Sequence, residues 1–120
     1  MRKNWLLPII CAGVSSCITT DALAQGLDFL HAQRFEGRRI CMSDHFHYGS
    51  STGQPSRKAA QAVAAASWAD FTGTEYGPEW GSWRLAASRG ANCKLEATGW
   101  SCSVEARPCK PAPRSVRRTR

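Results

Sequence analysis

Asp44-His45-Phe46-His47 is the densest run of metal-ligating side-chain types in the chain. In a strand, His45 and His47 share a face, with their Cα atoms about 6–7 Å apart. Two imidazoles so placed can hold Zn or Cu. A catalytic metal needs at least three placed ligands and an open position. Strand order, derived below, brings Glu105 beside His45 as the expected third ligand. The plainer expectation is two solvent-facing histidines on the open side of a half-covered sheet. Other chemistry is weaker still. The serines of Gly49-Ser-Ser-Thr-Gly53 lack a Gly-x-Ser-x-Gly elbow, and Gly-rich phosphate loops are absent from the sequence. Asp70, Glu75 and Glu79 straddle a helix end and read as surface charges. Tyr76, Trp80, Trp83 and Trp100 read as core, where a few large rings supply most of the buried area. The expectation is a non-enzymatic protein with no cofactor.

The elements that would position these residues form a small α+β domain over residues 40–110. Ile40 to Tyr48 alternates as a strand, with Ile40, Met42, Phe46 and Tyr48 on the inner face and Ser43, His45 and His47 on the outer. Gly49 to Gly53 reads as a loop. A helix follows from Pro55-Ser56 to Tyr76, with Ser56 as N-cap and Gly77-Pro78 as the stop. Its alanines favour helix. Ala60, Val63, Ala64, Ser67, Trp68 and Phe71 share one broad face. Ser82 to Ala87 reads as a second strand, continued over Asn92 to Glu96. Trp100 to Ala106 is the third, after a turn at Ala97-Thr98-Gly99. The order β-α-β-β predicts one helix packed on a three-stranded mixed sheet, with the last strand central.

Four cysteines follow the N-terminal 24 residues: Cys41, Cys93, Cys102 and Cys109. They have no Cys-x-x-Cys spacing, which disfavours structural zinc and a thiol redox motif. Four cysteines allow three pairings. The tight turn sets Cys93 opposite Cys102, and the strand order brings Cys109 to Cys41. The expectation is a disulfide-stapled domain joined Cys93–Cys102 and Cys41–Cys109.

Residues 1–24 read as a signal peptide. Arg2 and Lys3 form the charged start, an apolar stretch follows, and Ala22-Leu23-Ala24 is the cleavage site. Cleavage there leaves no transmembrane helix in the mature chain and predicts a periplasmic or secreted protein. The competing site is Val14-Ser15-Ser16-Cys17, a relaxed lipobox that would anchor the chain as a lipoprotein at Cys17. Residues 25–39 are an N-terminal segment without a clear period. Residues 111–120 carry Arg114, Arg117, Arg118 and Arg120 and no acid. They read as a disordered basic tail, since two prolines and four like charges cannot bury a core. Such a tail can touch anionic envelope components or another polyanion, or simply aid solubility.

The run from Ile40-Cys-Met-Ser-Asp-His-Phe-His-Tyr-Gly through Ser67-Trp-Ala-Asp-Phe, Tyr76-Gly and Trp80-Gly-Ser-Trp to Trp100-Ser-Cys-Ser-Val-Glu-Ala-Arg-Pro-Cys resembles small exported proteins of unknown function from rhizobia-like alphaproteobacteria. The resemblance rests on the Cys/Trp pattern and implies a Gram-negative periplasm. It carries no functional residues with it. The expected role is a periplasmic binding or envelope-associated module with an unknown partner. Metal binding through His45 and His47, and polyanion binding through the arginine tail, are the rivals.

Overall fold

Ser56 begins a long helix by accepting a hydrogen bond on its side chain from the Ala59 amide at 3.1 Å, which satisfies a donor the first turn leaves open. The helix α1 spans Arg57–Tyr76 and ends at Gly77, whose φ of 109° is open chiefly to glycine. Residues 26–117 are described in a computed structural model. The expected signal peptide over 1–24, Cys17, and the arginines Arg118 and Arg120 lie outside the described residues.

Among the described residues, six strands accompany α1: β1 Gln33–Glu36, β2 Arg39–Met42, β3 His47–Gln54, β4 Ala87–Glu96, β5 Gly99–Arg107 and β6 Cys109–Pro111. A short helix, α2, follows at Arg114–Arg117. The fold is α+β. The expected single mixed sheet is instead two antiparallel sheets, ordered β1-β2-β6 and β3-β5-β4. The strand expected over Ile40–Tyr48 divides between them. Ser43 to Phe46 leaves the ladder, so β2 belongs to the first sheet and β3 to the second. Gly49 to Gly53, expected as a loop, lies inside β3. Ser82 to Ala86 is not a strand but a turn, closed by Ala86 donating its amide to the Ser82 carbonyl at 3.1 Å. The segment 25–39 holds β1, and the expected tail from residue 111 still carries fold. Pro111 closes β6, and Ala112 is buried while its amide donates to the Arg38 carbonyl.

The helix packs on the second sheet through every fourth residue: Ala60, Ala64, Trp68, Thr72 and Tyr76 are buried. This narrow stripe corrects the broad expected face, since Val63 and Phe71 are exposed. The close approach has a backbone cause. A Cβ on Gly49 would strike the Ala64 carbonyl and the Trp68 backbone, so only glycine lets helix and strand touch here. Ser51 donates to the Ala60 carbonyl at 2.6 Å. From the other side of the helix stripe, Trp68 meets Trp83 edge-on at 5.3 Å and donates its indole N–H to the Ala106 carbonyl.

Arg107 forms the seam between the two sheets, while each disulfide lies within one sheet. Cys41 is bonded to Cys109 across β2 and β6, and Cys93 to Cys102 across β4 and β5. Arg107, buried at the end of β5, donates both terminal nitrogens to the Glu36 carboxylate at 2.6 and 2.8 Å. It also donates to the Met42 carbonyl and Ser88 Oγ. The Arg107 guanidinium, first through these hydrogen bonds, holds the Glu36 carboxyl below its usual range. Sequence periodicity had no means of flagging this contact between residues 71 apart.

Candidate functional site

Three backbone segments deliver imidazoles to the C-terminal end of α1. His31 follows the 3-10 turn Asp28–Leu30. His45 sits in the irregular stretch between β2 and β3, and His47 opens β3. All three histidines of the chain meet at one point, the hydroxyl of Tyr76. The Nε2 atoms of His31, His45 and His47 lie 3.0, 2.9 and 3.0 Å from it. The His31 and His45 rings are stacked with centroids 3.8 Å apart. His47 stacks on the Tyr76 ring at 4.7 Å.

Several of the expected placements fail. His45 and His47 do not face solvent together. His47 is buried under the helix, because the break at Ser43–Phe46 resets the alternation, and His47, Gly49 and Ser51 point inward while Tyr48 points out. Glu105 is not beside His45. It pairs with Tyr48 on the exposed side of β5, where it helps line a shallow depression with Asn92 and Ser103. The third imidazole comes from His31, in the segment whose sequence showed no period. Arg114 is exposed in the C-terminal segment, and Arg117 ends α2. Tyr76 and Trp80 are fully buried core residues.

The hydrogen-bond arithmetic fixes several protons. A phenol donates once and accepts twice, so three imidazoles saturate Tyr76. The His47 Nε2 also lies 3.1 Å from a Glu75 carboxylate oxygen. A carboxylate only accepts, so this nitrogen carries the proton and shares it between the carboxylate and the phenol oxygen. The His47 Nδ1 then accepts from the Thr72 hydroxyl at 2.9 Å. Of His31 and His45, one donates to the phenol oxygen and the other receives the phenolic proton.

The electrostatics agree with neutral rings. Burial, and then the neighbouring His45 and His31, push the His47 pKa down to about 4. Burial and then His31 lower that of His45, with Glu75 acting the other way. The contact between His47 and Glu75 is therefore a hydrogen bond from a neutral ring at pH 7 and not an ion pair. Burial, with the Glu75 carboxylate behind it, pushes Tyr76 up to about 12, so the phenol keeps its proton. A shallow pocket of about 300 Å³ adjoins the cluster, lined by His45, Phe46, His47, Tyr48, Phe71 and Glu75. As the side chains stand, no group of three or more His, Cys, Asp or Glu among the described residues is spaced to hold a metal ion.

No family model matches this chain, and no curated protein and no solved structure matches it either.

Proposed function

We propose that this chain is an exported, disulfide-stapled module of the periplasm or cell envelope that acts by binding, and that its binding site is the cluster of imidazoles around Tyr76. The two disulfides fit an extracytoplasmic protein. No helix among the described residues is long and apolar enough to cross a membrane. The observation that carries the site is the convergence of three histidines from separate segments on one hydroxyl, with two of them, His45 and His47, lining an open pocket. Side chains that only filled space would not need three titratable rings there.

Two measurements test this. The intact mass of the protein from its host periplasm should show a chain beginning at Gln25 with both disulfides formed. A diacylglyceryl Cys17 would make it a lipoprotein instead. For the site, the mature protein labelled with 15N is mixed with a low-molecular-weight periplasmic extract. Shifts of the three imidazole resonances support the site, and shifts confined to the open sheet face or the C-terminus refute it.

A second reading, polyanion binding, rests on Arg114, Arg117, Arg118 and Arg120, four arginines in seven residues without an acid. Truncation after Pro113 spares β6 and the buried Ala112. On this reading it abolishes salt-sensitive binding to anionic vesicles without lowering the melting temperature. Vesicle binding equal to that of the full chain would eliminate the tail as a ligand.

A further inference from the structure

We infer that the pocket beside the imidazole cluster binds a quaternary ammonium group, with Glu75 as its counter-charge and Phe46, Tyr48 and Phe71 as its aromatic lining. This inference rests on the binding-site reading above and names its ligand. The lining selects the class. Aromatic faces attract a cation through the ring quadrupole, most strongly when the cation is desolvated. A quaternary ammonium spreads its charge over methyl groups and has no N–H to leave unpaired. An anion would instead meet the Glu75 carboxylate and the carbonyl end of α1. Hard metal ions need several oxygen ligands, and the lining holds one carboxylate. A volume of about 300 Å³ is at the small end for ligand sites, which suits a trimethylammonium headgroup.

The charge at this spot is negative and left open. Glu75 stands in the last turn of α1, which holds no basic residue. The carbonyl end of a helix carries a partial negative charge, so stability favours a cation there and disfavours a carboxylate. Among the described residues, His47 is the one basic side chain within ion-pair distance of Glu75, at 3.1 Å. Burial, with His45 and His31 behind it, pushes the His47 ring down to about 4. At pH 7 it therefore gives Glu75 a hydrogen bond and no charge. The chain as a whole has a formal net charge of +7, so the negative spot does not follow from composition. The rings gather beside it for local reasons. Phe71 precedes Glu75 by one helical turn, so the two are neighbours on the helix surface. Its ring centroid lies 4.8 Å from that of His47. Tyr48 follows His47 on β3, and alternation turns it outward. β3 lies at the edge of its sheet. Tyr48 and Phe71 are 66% and 54% exposed, two large rings left in water where burial would have stabilised the fold.

The test uses the mature chain from Gln25, labelled with 15N and with both disulfides intact. It is titrated with choline and separately with dimethylbutanol, the uncharged isostere in which carbon replaces nitrogen. Choline should bind with a dissociation constant of millimolar order or below, shifting the amides of Tyr48, Phe71 and Glu75. The isostere should bind at least about fivefold more weakly. Glu75→Gln keeps an acceptor for His47 and should weaken choline by about fivefold or more while leaving the isostere unchanged. Phe71→Leu should weaken choline by about threefold with the far-ultraviolet spectrum intact. Glu105→Gln, on the open sheet face, should match wild type. Phosphatidylcholine vesicles separate the two sources of the group. Co-sedimentation that Glu75→Gln abolishes identifies a lipid headgroup, and choline binding without co-sedimentation identifies a free solute. Equal affinity for choline and its isostere, or choline affinity untouched by Glu75→Gln, overturns the inference. Imidazole shifts with the periplasmic extract but none with choline at about 10 mM would keep the site and discard the quaternary ammonium.

Discussion

Arg107 gives its guanidinium donors to four fixed acceptor atoms, on Glu36, Met42 and Ser88. Tyr76 gives one proton and two lone pairs to three rings. Both assemblies are buried and polar, and both gather residues far apart in sequence. The first is charged, balanced and anchored in strands, with the Cys41–Cys109 bond beside it. Its members have one good arrangement. The second holds His45 and His47 as neutral rings, and two of its three rings hang on irregular backbone. Its hydrogen bonds can be exchanged among partners at small cost. The difference separates a group that fixes a fold from one that can rearrange around a ligand.

The largest effect should come from the long-loop disulfide beside the seam. Cys41→Ser with Cys109→Ser opens a loop closed over 68 residues. In the chain-entropy view this costs about 4 kcal/mol, read as a lower urea midpoint. The same change at Cys93 and Cys102, separated by 9 residues, should cost about 2–3 kcal/mol. A larger loss at the short hairpin would mean that loop length does not set the cost of opening a disulfide here. Arg107→Met should cost about 3 kcal/mol, because it strands the Glu36 carboxylate and the Met42 carbonyl. Glu36→Gln, which keeps a hydrogen-bonding partner, should cost less.

Acid should separate the two regions by pH window. His47 titrates near 4 in the folded state and near 6.5 when unfolded. Between those values the unfolded chain binds the extra proton, so stability falls as pH falls. The loss is on the order of 3 kcal/mol once pH reaches the folded value. The groups facing His47 are His31, His45, Glu75 and Tyr76, and the lowered pKa of His45 acts in the same direction. Glu36 is a depressed carboxyl, so its contribution is lost only below its ordinary 4.5. Urea midpoints taken between pH 7 and 5 should therefore decline in wild type and much less in His47→Gln. A flat wild-type profile over that range would mean the rings are not held neutral.

Much of the helix was legible. Ser56, the alanines and Gly77-Pro78 are local signals, and local hydrogen bonding decides a helix end. The hairpin at Ala97-Thr98 was legible for the same reason, and with it the register that faces Cys93 to Cys102. The site was half legible. His45 and His47 stood out by type, but their facing depended on an unbroken strand, and four irregular residues reversed it. Gly49-Ser-Ser-Thr-Gly53 carries turn residues, yet here small size serves helix contact. His31 had no local pattern to reveal it. Its position is set by the Leu27 amide reaching the Glu75 carbonyl, a contact across the fold.

The smallest effect should come from Tyr76→Phe. Counted as three hydrogen bonds, the hydroxyl would be worth about 3 kcal/mol at roughly 1 kcal/mol each. The geometry argues for less. His47 keeps Glu75 on Nε2 and Thr72 on Nδ1, so its burial leaves no orphan nitrogen. His31 and His45 are only partly buried and can turn to water at the pocket mouth. The phenyl ring retains its stacking on His47. The expected loss is therefore about 1 kcal/mol, seen as a small drop in melting temperature with unchanged near-ultraviolet signal. A loss equal to that of Arg107→Met would show that the cluster is as rigid as the seam, and the contrast between a fixing group and an exchanging one would fail.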